Sequence, residues 1–287
     1  MKSKLIPLLC ITLHLCAQGA WAQVPDGSDM HLPRTPFRLQ SRAEVQLPPA
    51  VDNSTRKFFP PILDQMGGSC AQASGIGYMF TYEINRLLDR DAHASADHRF
   101  SYQFSWNLLN DGQDQGDFVD QGLYLSERYG IMTEQDYGIS GTYQFKWATG
   151  YDKYYKALQY RTQEVLTFAD SIPLMKRWLY DAGDGSAVGG VLTFSAMSRG
   201  WEIDDDYQGP SLTGYRSLLK GLATDGAHAL TIAGYDDTVV YTDAQGTPHT
   251  GAFIVVNSWG THSHDHGRFY LPYDFFRDAR VPEQQLG

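Results

Sequence analysis

Apolar residues recur along the chain with two different periods, which separate a helical first half from a strand-rich second half. Ile76, Phe80 and Ile84 follow a four-residue spacing, which is typical of a helix face. Short apolar runs between turn residues are typical of strands instead. The predicted helices are 70–90, 119–129 and 172–182. The predicted strands are 186–194, 228–235, 239–242, 252–257 and 268–271. Helices followed by strands indicate an α+β fold.

The first residues have the parts of an export signal. Two lysines precede a mostly apolar stretch, residues 5–15, and Ala20 and Ala22 supply small residues before Gln23, the expected cleavage site. We therefore expect residues 1–22 to be removed and the mature protein to be secreted or periplasmic. A short buried or anchoring helix is the alternative. No later apolar run reaches the roughly 18 residues needed to cross a bilayer.

Composition and charge narrow the classes of partner. The chain has 287 residues, and 42% of them are hydrophobic, which is enough to build a core and excludes a wholly disordered protein. The formal net charge is −10. Nucleic acids and anionic membranes bind basic surfaces, so the charge argues against both as the main partner.

The number of cysteines draws attention to one residue. Cys10 and Cys16 fall within the predicted signal peptide, so the mature chain keeps only Cys70 and has no internal disulfide partner for it. A lone thiol in an exported protein is either reactive or a small buried hydrophobe. Cys70 follows a glycine-rich turn at the start of the first predicted helix. The partial positive charge of a helix N-terminus favours the thiolate, which is the nucleophilic form.

Two further residues complete a set that could carry chemistry. His228 opens an apolar strand, and Asn257 ends another. Taken alone, His228 is better explained as a satisfied buried histidine and Asn257 as part of a turn. Together with Cys70 they form a Cys, His and Asn set. In such a set a thiolate attacks a carbonyl, an imidazolium donates a proton to the leaving amine, and the Asn orients the ring.

These residues belong to an ordered series of motifs that resembles the papain-like cysteine peptidase family, of the exported bacterial kind, over most of residues 47–275. One motif alone would be weak, but the whole ordered set is specific. The matching segments are Leu47-Pro48-Pro49-Ala50-Val51-Asp52, Asp64-Gln65, Gly68-Ser69-Cys70, Phe100-Ser101-Tyr102-Gln103, Gly116-Asp117-Phe118, Tyr129-Gly130-Ile131, Tyr137-Gly138, His228-Ala229 and Asn257-Ser258-Trp259-Gly260-Thr261, with Gly267 after them.

The resemblance implies a fold and a division of the chain. The implied fold is α+β with two lobes, a helical left lobe and a β-barrel-like right lobe, and the active-site cleft lies between them. The implied segments are a signal peptide (1–22), a linker or short pro-segment (23–46), a peptidase domain (47–275, with the helical lobe at about 65–165 and the β lobe at about 170–275) and a C-terminal tail (276–287).

The resemblance also implies catalytic roles. Cys70 would be the nucleophile, and His228 would be its ion-pair partner and general acid and base. Asn257 would orient His228. Gln65 would donate its side-chain amide to the oxyanion, together with the backbone N–H of Cys70.

Three more residues would serve the cleft. Gly116 would bind the backbone of the substrate, and Phe118 would line the pocket for the residue before the one at the cleaved bond. Trp259 would lie in the cleft as well and shield the hydrogen bond between Asn257 and His228 from water. The implied activity is thiol-dependent hydrolysis of peptides or proteins, without a metal or another cofactor.

Two other functions stay open on the sequence. One is a catalytically silent binding protein with the same fold, and the other is an acyl transferase or amidase that acts on a non-protein amide. The motifs specify neither the preferred side chain, nor endo- or exopeptidase action, nor the physiological substrate, nor the mode of regulation, nor the oligomeric state.

The sequence departs from the family pattern at several positions near the site. The gap from Gln65 to Cys70 is one residue shorter than usual, and Asp117 replaces the second glycine of the cleft. The loop that carries His262, His264 and His266 replaces a stretch that normally holds a second Trp. Alternating histidines could bind zinc or copper, but we favour a polar loop without metal.

Overall fold

The computed structural model describes six stretches of the chain, which are residues 34–39, 45–110, 113–138, 148–168, 171–242 and 246–279. The predicted signal peptide, with Cys10 and Cys16, lies outside the described residues. So do most of the predicted linker and the end of the predicted tail. No helix in the described stretches is both long enough and apolar enough to span a membrane.

The longest helical segment starts at Cys70 and is called the Cys70 helix below. It is α-helical over Cys70–Gln72, π-helical over Ala73–Phe80 and α-helical again over Thr81–Leu88. The prediction of a helix over 70–90 is therefore two residues too long, because Asp89 adopts a left-handed conformation, with φ of 52°, that ends the helix. The other α-helices are Tyr102–Leu109, Val119–Tyr129, Glu134–Tyr137, Tyr151–Ala157, Ile172–Asp181 and Tyr273–Ala279.

The predicted second helix is confirmed over Val119–Tyr129. It ends at Gly130, whose φ of 70° is accessible to glycine at little cost. An added Cβ atom there would also lie 1.8 Å from the carbonyl oxygen of Ala157. The third predicted helix is confirmed over Ile172–Asp181, one residue shorter than expected.

Nine strands are present in the described residues. They are β1 (Arg34–Pro36), β2 (Ala50–Asp52), β3 (Val165–Thr167), β4 (Leu192–Arg199), β5 (Glu202–Asp204), β6 (Leu218–Gly221), β7 (Asp225–Thr242), β8 (Pro248–Val256) and β9 (Arg268–Pro272). Strands β1 and β3 form a parallel pair, and the other seven form one sheet. Its order is β2-β7-β8-β9-β6-β5, and β4 also pairs with β7. No strand pair among the described residues closes this sheet into a barrel, in contrast to the barrel-like lobe expected from the sequence.

Strand β7 organises the sheet. Its 18 residues merge two predicted strands, 228–235 and 239–242, into one. Its far end pairs with the start of β8, with Val240 opposite Thr250. Strands β7 and β8 therefore form a hairpin, and residues 243–245, which connect them, lie outside the described residues.

The predicted strand over 186–194 starts too early, since β4 begins at Leu192. Gly189 explains the difference. A Cβ atom on this residue would lie 2.1 Å from the carbonyl oxygen of Leu179, so the chain here runs against the backbone of the helix Ile172–Asp181. This close approach replaces strand pairing.

The main hydrophobic core packs on the sheet, and the Cys70 helix is hydrogen-bonded to the sheet. Tyr235 and Phe253 are fully buried in this core, and complete burial of one such side chain contributes about 2 kcal/mol. The hydroxyl of Ser74, one turn into the helix, lies 2.6 Å from that of Thr193 and 2.8 Å from that of Thr231. These contacts hold the start of the Cys70 helix against β4 and β7.

Candidate active site

Cys70 is held at its place by a tight turn of glycines. The backbone of Gly68 lies so close to the irregular segment 113–118 that a Cβ atom would come within 2.7 Å of the backbone nitrogen of Gly116. The backbone N–H of Gly68 also donates to Oδ1 of Asp114 at 2.8 Å. Cys70 then begins the helix, and the residue as a whole is partly buried.

His228 lies on β7, opposite Ala196 of β4, and is 5% exposed. The register of β7 and β8 places Thr231 opposite Val256, and Asn257 follows directly after β8. Nε2 of His228 lies 2.8 Å from Oδ1 of Asn257. The structure therefore brings together two predicted site residues that are 29 positions apart in the sequence.

The side chain of Asn257 is oriented by the backbone. Its Oδ1 also accepts a hydrogen bond from the backbone N–H of Ser258 at 2.8 Å. A backbone N–H only donates, so the atom facing it must be the oxygen of the amide. The same oxygen then accepts from Nε2–H of His228, which leaves Nδ1 of the neutral ring unprotonated and free to accept a proton.

Trp259 covers one face of His228. Their ring centroids are 4.6 Å apart and their planes differ by 24°. Trp201 adds a second indole, 6.4 Å from the His228 ring and 6.5 Å from the Trp259 ring. Sequence reasoning missed Trp201, because it follows no motif and its position depends on the bend after β4.

The sulfur of Cys70 contacts the backbone of β7 at the residue that follows His228. The backbone N–H of Ala229, the residue after His228, forms a hydrogen bond with the Cys70 sulfur. This contact connects the start of the Cys70 helix to the strand that carries the histidine.

The ionisation of Cys70 differs from the sequence-based expectation. Burial is the largest influence and raises the pKa of the Cys70 thiol. The backbone N–H of Ala229 lowers this pKa, and the carboxylate of Asp117 raises it. The backbone N–H groups of Ala71 and Cys70 lower it as well. The helix N-terminus therefore acts in the expected direction but is outweighed. Burial also lowers the pKa of His228, while Asn257 raises it and His264 lowers it. Each group alone is thus favoured in its neutral form.

Gln65 contacts both Gly67, in the turn before Cys70, and Ser258, just after β8. Its backbone N–H donates to the carbonyl of Ser258 at 2.7 Å. The side-chain Oε1 accepts from the Ser258 hydroxyl at 2.5 Å, and Nε2 donates to the carbonyl of Gly67 at 3.0 Å. Because an amide nitrogen carries two hydrogens, Nε2 keeps a second N–H beyond the one used by Gly67.

The predicted cleft residues Gly116 and Phe118 are both exposed. Phe118 is 38% exposed, which is high for a large aromatic ring. Gly116 lies beside the Gly68 turn. Both therefore remain accessible to a ligand.

Asp117, between these two residues, is the unexpected feature of this segment. Its Oδ1 accepts a hydrogen bond from Nε2 of Gln72 at 3.1 Å, and its Oδ2 is buried without a partner. Burial raises the pKa of Asp117 to about 7, and the hydrogen bond from Gln72 opposes this rise. The sequence marks Asp117 only as a departure from glycine, because burial cannot be read from one residue type.

The three histidines of the loop after Trp259 differ in their surroundings. His266 is exposed over 81% of its side chain, whereas that of His264 is only 10% exposed. The described residues hold no group of three or more His, Cys, Asp or Glu side chains arranged to bind a metal ion.

A separate surface hollow of about 760 Å³ has Gln65 in its lining. Its lining includes Asp64, Met66 and Tyr102. Neither Cys70 nor His228 lines it, so the hollow is not the candidate active site.

Comparisons with known proteins agree at the level of the fold. The chain is similar to the crystal structure of xylellain, a cysteine protease from Xylella fastidiosa, with a TM-score of 0.59, 20% identity and coverage of 92% of this chain and 93% of that one. It is also similar to proCathepsin B S9 from Trypanosoma congolense, with a TM-score of 0.56, 18% identity and coverage of 88% and 80%.

The fold is papain-like. No protein-family model and no curated protein matches the sequence. The likeness to the two proteases therefore lies in the mixed arrangement of helices and sheet.

Proposed function

We propose that this protein is a thiol-dependent peptidase that hydrolyses peptide bonds through a covalent acyl-enzyme intermediate on Cys70. Two contacts carry the proposal. His228 is hydrogen-bonded to Asn257, and Ala229, the next residue along β7, donates its backbone N–H to the Cys70 sulfur. Nucleophilic thiol catalysis requires a histidine that is oriented by a third group and that can reach the thiol.

The first step is a proton transfer within the site. Nδ1 of His228 takes the proton of the Cys70 thiol, and the thiolate and imidazolium form together. Burial disfavours either charge alone, but the pair has no net charge, and each charge lies beside the other. The N–H of Ala229 stabilises the thiolate, and Oδ1 of Asn257 stabilises the imidazolium.

Peptide hydrolysis then proceeds in two halves. The Cys70 sulfur bonds to the substrate carbonyl carbon, and the carbonyl oxygen takes the negative charge between the backbone N–H of Cys70 and the second N–H of Gln65. His228 gives its proton to the leaving amine as the carbon–nitrogen bond breaks. A water molecule, deprotonated by His228, then attacks the thioester and releases the acid with the thiol restored.

The cleft residues act as the resemblance implies. Gly116 binds the substrate backbone, the Phe118 ring lines the pocket for the preceding residue, and Trp259 shields the bond between His228 and Asn257. In this proposal the cleft lies between a helical lobe, residues 65–165, and a β lobe, residues 170–275. Every step uses groups of the chain itself.

The proposed setting is outside the cytoplasm. Residues 1–22 are the export signal, residues 23–46 the linker or short pro-segment, and residues 47–275 the catalytic domain. A secreted or periplasmic peptidase meets peptide or protein substrates there, and the net charge of −10 argues against nucleic acid as the main partner.

A peptide-library digest tests this function. Wild-type protein and the variants Cys70→Ala and His228→Ala are incubated with a mixture of peptides, and the products are read by mass spectrometry. We expect cleavage by the wild type alone. Equal cleavage by Cys70→Ala would overturn the proposal. If iodoacetamide alkylates Cys70 but the wild type cleaves no peptide, an acyl transferase or amidase is favoured.

A further inference from the structure

His264 contacts the face of Asn257 that is turned away from His228. Nδ2 of Asn257 and Nε2 of His264 are 3.2 Å apart. The bond from Ser258 N–H identifies the other amide atom as oxygen, so the atom that faces His264 is the NH₂ group. This group only donates. Nε2 of His264 must therefore be the acceptor, and the imidazole must be neutral with its proton on Nδ1.

The surroundings of His264 agree with this tautomer. Nδ1 lies 3.6 Å from Oδ1 of Asp205, whose negative charge favours a proton on the nearer nitrogen. The ring packs edge-on against Phe269, with centroids 5.0 Å apart, and is tilted against Trp259 at 6.2 Å. Burial is the largest influence on His264 and lowers its pKa, although Asp205 acts in the opposite direction.

The loop holds the ring in this place against an unfavourable backbone conformation. His264 has a φ of 54°, in the left-handed region that few residues other than glycine adopt. The loop is closed by a hydrogen bond from the N–H of Gly267 to the carbonyl of Ser263, 2.7 Å long. The closed loop keeps the His264 ring against Asn257, whereas the ring of His266, in nearly the same backbone conformation, is exposed.

We propose that His264 is a positioning residue for the proposed peptidase reaction, and that its neutral imidazole holds the amide of Asn257 with the oxygen toward His228. A reversed amide would turn NH₂ toward Nε2–H of His228, so that two donors would face each other. The imidazolium would then lose its acceptor. His264 thus extends the set Cys70, His228 and Asn257 by one group. This inference rests on the proposed function.

Protonation of His264 would remove this support. Its Nε2 would become a donor facing the NH₂ of Asn257, and a positive charge would lie near His228. The charged groups that act on this ring are Asp205 across from Nδ1 and His228 beyond Asn257. Of its loop neighbours, Asp265 accepts a hydrogen bond from the N–H of Arg216, and His266 is turned to solvent.

The test compares three loop variants. His264→Phe keeps the aromatic packing and removes the acceptor, whereas His264→Gln restores a neutral acceptor. His266→Phe is the matched control, because His266 has nearly the same backbone conformation, with φ of 51°, but is exposed. The readout is the pH dependence of Cys70 alkylation by iodoacetamide, measured by intact mass, together with kcat/KM on a peptide substrate.

We expect His264→Phe to shift the alkylation profile to higher pH by about one pH unit and to lower kcat/KM about tenfold, which is the loss expected for one hydrogen bond. His264→Gln and His266→Phe should stay within about twofold of the wild type. In an Asn257→Ala background, His264→Phe should cause no further shift, because the amide through which it acts is absent.

Three results would overturn the inference: an unchanged alkylation profile in His264→Phe, the same loss in His264→Gln, or the same loss in the Asn257→Ala background. Thermal unfolding of each variant checks that the fold is kept, and a His264→Phe protein that unfolds is replaced by His264→Leu. If the wild type cleaves no peptide, the proposed function fails, while the alkylation comparison still decides the role of His264.

Discussion

The ring of Trp259 lies flat against the ring of His228, with the centroids 4.6 Å apart. His228 lies on β7, whereas Trp259 lies three residues beyond the end of β8, where it forms an isolated bridge with Asp64. The imidazole and the indole that covers it therefore come from two different segments of the chain. Such a surface excludes water from the hydrogen bond between His228 and Asn257 and strengthens it.

Replacing the indole should expose this bond to water. We predict that Trp259→Ala lowers kcat/KM on a peptide substrate about tenfold, because water then competes for Oδ1 of Asn257. Trp259→Phe keeps an aromatic cover and should retain most of the activity. Steady-state kinetics on both variants provides the check, and full activity in Trp259→Ala would show that the cover is not needed.

Gln65 allows a separation of oxyanion stabilisation from thiol reactivity. The loss of one donor to an oxyanion typically costs a factor of about 100 in kcat. We predict such a loss in Gln65→Ala, with little change in the rate of Cys70 alkylation by iodoacetamide, since alkylation forms no oxyanion. Gln103→Ala is the control, because this nearby amide contacts Met66 and not the reacting groups. Equal loss in both assays would assign Gln65 to positioning of the thiol.

Two glycines beside Cys70 should respond differently to an added methyl group. A Cβ atom on Gly68 would lie 2.7 Å from backbone atoms of Gln115 and Gly116, whereas one on Gly116 would have its nearest neighbour at 3.8 Å. We predict that Gly68→Ala destabilises the protein by about 1–3 kcal/mol.

Gly116→Ala should leave stability unchanged and raise KM for peptides, because the new methyl group would occupy the place of the substrate backbone. Thermal unfolding and steady-state kinetics distinguish the two effects. An unchanged KM in Gly116→Ala would remove Gly116 from the binding site.

The raised pKa of Asp117 should make the stability of the protein depend on pH. Burial raises its pKa to about 7 in the folded protein, while an unfolded Asp titrates near about 3.9. The folded state therefore holds the proton more tightly, and the stability associated with the protonated form is present below about pH 4 and is lost as the pH rises to about 7. Asp117→Asn should be more stable than the wild type at pH 8, by up to a few kcal/mol, and equal to it near pH 4. A constant difference across this range would contradict the assignment.

The same carboxylate should affect the nucleophile. The charge of Asp117 is one of the influences that raise the pKa of Cys70, so its removal should favour the thiolate. We predict faster alkylation of Cys70 in Asp117→Asn than in the wild type at pH 8, and equal rates at pH 5, where Asp117 is protonated in the wild type. Slower alkylation at pH 8 would show that the carboxylate supports the thiolate.

The sequence predicts those parts of the fold that depend on local pattern. The helix Val119–Tyr129 is confirmed because its apolar spacing and its terminal glycine are both local signals. The start of β4 is predicted wrongly, because the residues before Leu192 do not pair as a strand. Gly189 instead packs against the backbone of Leu179, ten residues earlier in the sequence. The open sheet could not be predicted either, because its strand order depends on pairing between residues far apart in the sequence.

The candidate site shows the same division. The positions of Cys70, His228 and Asn257 are marked by motifs, and the structure brings His228 and Asn257 into hydrogen-bonding contact. The contact of His264 with Asn257 depends on a left-handed residue in a loop, and the pKa of Asp117 depends on its burial. Both features arise from tertiary packing, and the residues at these two positions do not by themselves reveal it.

The most direct test of the central claim is a search for the acyl group on Cys70. The protein is mixed with an activated peptide ester, quenched in acid within the first turnovers, digested and read by mass spectrometry. We predict an acyl adduct on Cys70 that disappears as the ester is consumed, and that is absent from Cys70→Ala, which also fails to cleave peptides. Peptide cleavage by the wild type without an adduct on Cys70, or cleavage that persists in Cys70→Ala, would contradict the account.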